Sequence, residues 1–186
     1  MIWKEKLMRL KPCGGARQWL ESQTDAETAW NSCEQADWLI WLALVLRIDR
    51  RMRVMAACQI AKAVLKHTPN RDEPLLRAIE TAKAWSQGAA TEEDCYLASR
   101  GAWDVADTHL GPASQVGYAA AYTCYLASGF DYNSYDAAVV SHAADAAVAA
   151  SSDREADGAR AAFLKASADI VRKHITFAMI KEAAGL

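Results

Sequence analysis

The amino-acid sequence predicts an all-α protein, a single domain over residues 1–186 in which about eight to ten helices, joined by short loops, form a bundle or a stack. Apolar residues recur at helical spacing in one segment after another. Alanine, rather than valine, isoleucine or threonine, enriches the 52% hydrophobic content, which favours helices over strands. Helix start and stop signals separate these segments, and no strand pattern of useful length occurs.

Four helices are predicted in the first part of the chain. A break at 11–15 precedes a short helix at 16–21, and Thr24 with Glu27 has the capping-box spacing that starts a helix ending near residue 35. Asp37 is placed to cap the next helix, which extends to residue 46. Asp49 is placed to cap a long helix that continues to about residue 67.

The segment 37–46 is the most apolar part of the chain, with nine uncharged residues after Asp37. A membrane-spanning helix needs about 20 such residues, so this segment is too short to cross a bilayer. We therefore expect no membrane partner and interpret the segment as the central helix of the core, with Trp38 and Trp41 packed against Trp19 and Trp30. The N-terminus has no apolar signal segment, so the expected location is the cytoplasm.

The second part of the chain predicts further helices with clear boundaries. A turn at 68–72 leads to a helix that ends at Gly88, and Thr91 with Asp94 forms a capping-box pattern for a helix that stops at Gly111. The next helix runs from 112 to 128 and is closed by Gly129. Ser134 is placed to cap a helix through about residue 150. The last two helices are predicted at 154–174 and up to about residue 184.

Sequence motifs for chemistry are absent, which predicts a non-enzymatic protein without a cofactor or a metal. No phosphate-binding loop, nucleophile elbow or zinc motif is present, and the five cysteines form no C-x-x-C pair. His142 and Asp145 share a helical face, but a catalytic metal takes about three protein ligands. A metal-dependent enzyme using this pair is therefore the weakest alternative.

Acidic residues dominate residues 91–157, which contain 11 Asp or Glu and two Lys or Arg. Such a surface repels nucleic-acid phosphates, so no direct nucleic-acid binding is expected. It attracts a basic protein, although solubility is an equally good explanation for the charge. The candidate partner-binding residues are Asp104, Asp107, Asp136 and Asp145.

Tyr118, Tyr122 and Tyr125 recur at helical spacing among alanines. The preferred interpretation is core packing, or a subunit interface that would make the protein a homodimer. The alternative is an exposed binding surface.

Arginines crowd the first turn of the helix that Asp49 caps. Cations are disfavoured at this end of a helix dipole, so Arg50, Arg51 and Arg53, together with Arg17, are candidates for binding an anionic ligand such as a nucleotide. The alternative is a solvated basic turn that is paired with nearby acids.

Several segments together carry a family resemblance. They are residues 11–20 (KPCGGARQWL), 29–42 (AWNSCEQADWLIWL), 74–88 (PLLRAIETAKAWSQG) and 168–175 (ADIVRKHI). Their order resembles the Imm5-like family of predicted bacterial immunity proteins, with Ala36 standing where a glycine is expected. The resemblance implies an all-helical protein that protects its producer by binding a toxin. The same scaffold would also suit a sequestering protein for a signalling nucleotide, or a phage inhibitor of a bacterial defence system.

Overall fold

The computed structural model describes residues 2–68, 72–129, 135–152 and 155–186. Within these residues the chain forms eleven α-helices and one short 3-10 turn, Leu65–His67, and contains no strand. The predicted all-α class is therefore confirmed. The helices are α1 (Ile2–Arg9), α2 (Gly14–Ser22), α3 (Ala26–Ser32), α4 (Ala36–Val45), α5 (Arg50–Val64), α6 (Asp72–Ser86), α7 (Glu92–Thr108), α8 (Pro112–Ser128), α9 (Tyr135–Ala149), α10 (Ala156–His174) and α11 (Phe177–Ala184).

Helix α1 is the element that the sequence patterns did not predict. It is short, with Leu7 as its buried residue, and it packs against α2. A helix this short is marginal by itself, and most of its stability comes from tertiary packing, which the sequence does not show. Among the described residues, no helix combines the length and the apolar character that crossing a bilayer requires.

Helix α8, rather than the apolar helix α4, is the centre of the bundle. It packs against α5, α6, α7 and α9, and ten of its residues are buried. Helix α4 packs against α5, α9 and α10 and buries one face, which consists of Ala36, Leu39, Ile40 and Ala43. The prediction that 37–46 is the central helix is therefore wrong. The small side chains of α8 let neighbouring helices approach it closely from several sides, which large apolar side chains do not allow.

Helices α7 and α8 approach each other closely at Gly117. A Cβ atom added at Gly117 would lie 2.7 Å from the backbone nitrogen of Ala106. Real Cβ atoms do not come this close to backbone atoms, so a glycine is required here for the two helices to pack at this distance.

Replacing Gly117 by alanine is expected to lower the free energy of unfolding by about 1–3 kcal/mol, because α7 and α8 must move apart. The matched control is Gly158→Ala in α10, where an added Cβ meets no atom within 4 Å. That substitution should stabilise the protein by about 0.5–1 kcal/mol, because alanine is the better helix former. Urea denaturation of both variants measures the difference, and an equal response at the two positions would contradict the close packing.

Several predicted helix boundaries are confirmed. The side chain of Thr91 accepts a hydrogen bond from the Asp94 N–H at 3.1 Å, and the Asp94 carboxylate accepts one from the Thr91 N–H at 2.8 Å. Asp49 accepts a hydrogen bond from the Arg51 N–H at 2.7 Å. Gly129 ends α8 in the left-handed conformation, with φ at 77°.

Two capping predictions are wrong. Asp25, not Thr24, caps α3, because its carboxylate accepts the Thr28 N–H at 2.8 Å. Asp37 lies inside the first turn of α4, and the capping position is occupied by Gln35, which makes no side-chain cap. The predicted cap Ser134, most of the predicted turn at 68–72 and the predicted helix start at 154 lie outside the described residues.

Candidate functional site

Half-buried aromatic rings from three helices form one continuous surface, which we call the aromatic face. Helix α7 contributes one ring, α8 contributes three, and α9 contributes two. The rings belong to Trp103, Tyr118, Tyr122, Tyr125, Tyr135 and His142. Tyr96, which is 41% exposed, extends the face along α7 and contacts Tyr125 at a centroid distance of 6.4 Å.

The tyrosines of α8 form the middle row of the aromatic face because their spacing places them on one side of the helix. Trp103 lies along one flank and meets Tyr118 and Tyr122 edge-on, with centroids 5.3 Å apart in each case. On the other flank, His142 stacks on Tyr122 at 5.4 Å with an angle of 13° between the ring planes. Such edge and stacked contacts hold the rings in fixed positions.

His142 is half-buried and hydrogen-bonded within this face. Its Nδ1 donates to the side-chain oxygen of Gln115 at 2.8 Å, and burial lowers the pKa of the imidazole. Asp145, one helical turn further along, is paired with Arg160. No group of three or more metal-ligating side chains converges in the described parts of the chain, and no third ligand among them joins His142 and Asp145.

One of the predicted acidic residues borders the aromatic face, and a second lies on the same helix. Asp104 and Asp107 are exposed on α7, and the hydroxyl of Tyr118 donates to Asp107 at 3.2 Å. This hydrogen bond raises the pKa of Tyr118. Asp145 lies at the α9 edge with its side chain 43% exposed. The structure therefore brings Asp107 together with the rings, leaves Asp104 exposed on the same helix, and places Asp145 one turn from His142.

Asp136 does not belong to this surface. Its side chain is 2% exposed and forms an ion pair with Arg53, with Oδ2 and Nη1 2.6 Å apart. Arg53 is itself buried, and its Nε donates to the carbonyl oxygen of Ile48 at 3.1 Å. The predictions that Asp136 contacts a partner and that Arg53 binds an anionic ligand are therefore wrong. Helices α5 and α9 pack together and bury both charges.

The four candidate arginines do not form one anion site. Arg50 is paired with Glu92 and lies over the ring of Trp85 at 4.5 Å, while Arg53 is paired with Asp136. Both residues are paired with acids, as the alternative interpretation predicts, but Arg53 is buried and not part of a solvated turn. Arg51 is exposed on α5, and Arg17 is exposed on α2, which packs against α1.

Trp103 and Tyr135 are parts of the face that the sequence analysis did not single out. A signal for Trp103 existed, because Tyr96, Trp103 and Asp107 recur at one-turn and two-turn intervals along one side of α7. No local signal joins α9 to this surface, since its rings reach the face only through helix packing. Comparison of the chain with protein-family models, with curated proteins and with solved structures gives no match.

Proposed function

We propose that this protein is a non-enzymatic antagonist that binds and neutralises a basic protein, and that the aromatic face with Asp104 and Asp107 is the binding surface. The observation that carries the proposal is a contiguous set of half-buried tyrosine and tryptophan rings bordered by exposed carboxylates. Tyrosine and tryptophan are enriched among the residues that dominate binding energy at protein interfaces.

The chemistry of the face favours arginine and lysine side chains on the partner. A guanidinium or ammonium group over a tyrosine or tryptophan ring contributes about 0.5–2 kcal/mol, depending on how far it is desolvated. Asp104 and Asp107 then supply charge that steers the encounter and raises the association rate. A basic cleft, such as the one with which a nuclease holds its substrate, has the matching charge.

The family resemblance supports toxin immunity as the biological setting. A phage inhibitor of a bacterial defence protein would use the same surface and differ only in its partner. The alternative of a nucleotide-binding protein has less support, because Arg50 and Arg53 already have acidic partners. A homodimer formed through the aromatic face would compete with the proposed partner. Sedimentation of the purified protein alone should therefore give a monomer.

The test compares two double variants that change the net charge equally. Asp104→Lys with Asp107→Lys should slow association with the purified partner about ten-fold or more at low salt, because steering is lost. The control is Glu21→Lys with Glu27→Lys, two exposed acids on α2 and α3. Stopped-flow association rates measured at low salt and at about 1 M salt, where charges are screened beyond about 3 Å, separate the two surfaces.

Biological function is tested by co-expression. A partner that is toxic alone should be tolerated with the unaltered protein and with the control variant, and should remain toxic with the Asp104 and Asp107 double variant. Tyr122→Ala should speed dissociation of the complex, since it removes a ring from the middle of the face. Two results together would refute the aromatic face as the binding surface. Both double variants would slow association equally, and the complex of a folded Tyr122→Ala protein would dissociate at the unaltered rate.

A further inference from the structure

A second candidate site lies away from the aromatic face, where the N-terminal segment meets α4. It is a groove of about 320 Å³ whose walls include Lys11, Cys13 and Ala16 on one side and Asp37, Trp38 and Trp41 on the other. Ala137 of α9 also lines it. Small-molecule sites in proteins begin at about this volume and combine apolar walls with a few polar groups.

The walls of this groove are mainly two half-buried indoles. Trp38 contacts Trp19 at a centroid distance of 6.1 Å, and an added Cβ at Gly15 would lie 3.2 Å from the Trp38 ring. Trp38 and Trp41 also line an apolar cavity of about 60 Å³, together with residues such as Phe177 and Ile180.

Asp37 is the polar feature that distinguishes this groove. Its Oδ1 is buried and accepts no hydrogen bond, and its carboxylate forms no ion pair within the described residues. Burial raises the pKa of this carboxyl. The nearby cation Arg160 is paired with Asp145 instead. The backbone N–H groups of Trp38 and Asp37 and the charge of Arg160 oppose this rise in the pKa, but burial is the largest cause. A partly buried carboxylate that has no ion pair among the described residues carries a desolvation cost, and a bound cation relieves that cost.

We propose that this groove binds a small alkylammonium ligand, with its ammonium group at Asp37 and its alkyl chain against Trp38 and Trp41. Indole faces attract ammonium groups through the ring quadrupole, and a carboxylate provides the charge-assisted hydrogen bond. Lys11 lines the same groove and disfavours a second positive charge on the ligand. The chemical class is therefore a monoamine with an apolar chain, rather than a diamine or a polyamine.

The probe is n-hexylammonium chloride, titrated into the protein by calorimetry. Hexanol and hexanoate have the same chain length and serve as the neutral and anionic controls, while 1,6-diaminohexane tests the effect of Lys11. Hexylammonium should bind about ten-fold or more tightly than each of these compounds, because it alone places a single positive charge at the carboxylate. It should also shift the indole N–H resonances of Trp38 and Trp41 in nuclear magnetic resonance spectra.

Cys13 provides a second measurement of occupancy. It is the exposed cysteine of this chain, and Cys33, Cys58, Cys95 and Cys124 are buried. Alkylation by neutral iodoacetamide should therefore modify Cys13 selectively, and saturating hexylammonium should slow that reaction because the ligand fills the groove that Cys13 lines.

Asp37→Asn keeps the size of the side chain and should weaken hexylammonium binding about ten-fold or more, with little effect on hexanol. Glu93→Gln, at an exposed acid on α7 outside both proposed sites, is the control and should bind as the unaltered protein does. Thermal melting establishes that both variants are folded. Any of three results would overturn the proposal. Hexanol could bind as tightly as hexylammonium, folded Asp37→Asn could keep full affinity for hexylammonium, or hexylammonium could fail to bind at millimolar concentration.

Discussion

Replacing Arg53 by methionine is expected to lower the free energy of unfolding by about 3–5 kcal/mol, because the substitution breaks a buried ion pair. The guanidinium Nη1 lies 2.6 Å from the Asp136 carboxylate, and both side chains are buried. Solvent does not reach this pair to replace the lost partner. Urea denaturation followed by circular dichroism measures the change.

A double variant and a surface pair provide the controls for this prediction. Arg53→Met with Asp136→Leu should recover part of the lost stability, because neither charge is then left alone in the core. Lys62 and Glu80 form a comparable pair at 2.7 Å, but their side chains are 55% and 40% exposed. Lys62→Met should therefore change stability by about 1 kcal/mol or less. If Arg53→Met lowers the free energy of unfolding no more than Lys62→Met does, burial of the Arg53–Asp136 pair is not important for stability.

Replacing Trp30 by alanine is expected to lower the free energy of unfolding by about 3–5 kcal/mol, the usual range for a large aromatic side chain in a core. Trp30 is 4% exposed and lines the apolar cavity behind α4. The existing cavity would grow, and the surrounding helices cannot fill the space.

Trp38→Ala is the matched comparison, because the same side chain is removed at a half-buried position. Trp38 also lines the open groove near Asp37, so its side chain buries less apolar surface on folding than Trp30 does. The loss of stability should therefore be clearly smaller than for Trp30→Ala. Thermal and urea denaturation of both variants provide the test. Equal destabilisation would show that Trp38 is as much a core residue as Trp30.

Helix positions were predictable to a large extent because the signals that set them are local. A capping side chain such as Asp49 or Thr91 satisfies backbone N–H groups within its own first turn, so its effect is encoded within a few residues. The same locality explains the errors. Asp25 and Thr24 are neighbours with suitable side chains, and only the backbone conformation decides which of them caps α3.

The candidate site was predictable only in part. The tyrosine row of α8 follows from spacing, and the acidic character of this half of the chain follows from composition. The sequence interpretation nevertheless preferred packing over exposure, whereas the rings are half-buried and combine both features. Trp103 and His142 join the row because α7 and α9 pack on either side of α8. That arrangement depends on contacts between segments distant in sequence.

The sequence alone therefore determined the all-α class, most helix boundaries, and which segments carry charge or aromatic rings, because periodicity and capping act over one or two turns. Tertiary structure alone decided which of those residues are accessible. Asp136 and Arg53 are 83 residues apart, and no local pattern indicates that they bury each other. Likewise, α8 is the central helix because its small side chains allow close approach on several sides, a property of the assembled bundle that the apolar content of α4 does not reveal.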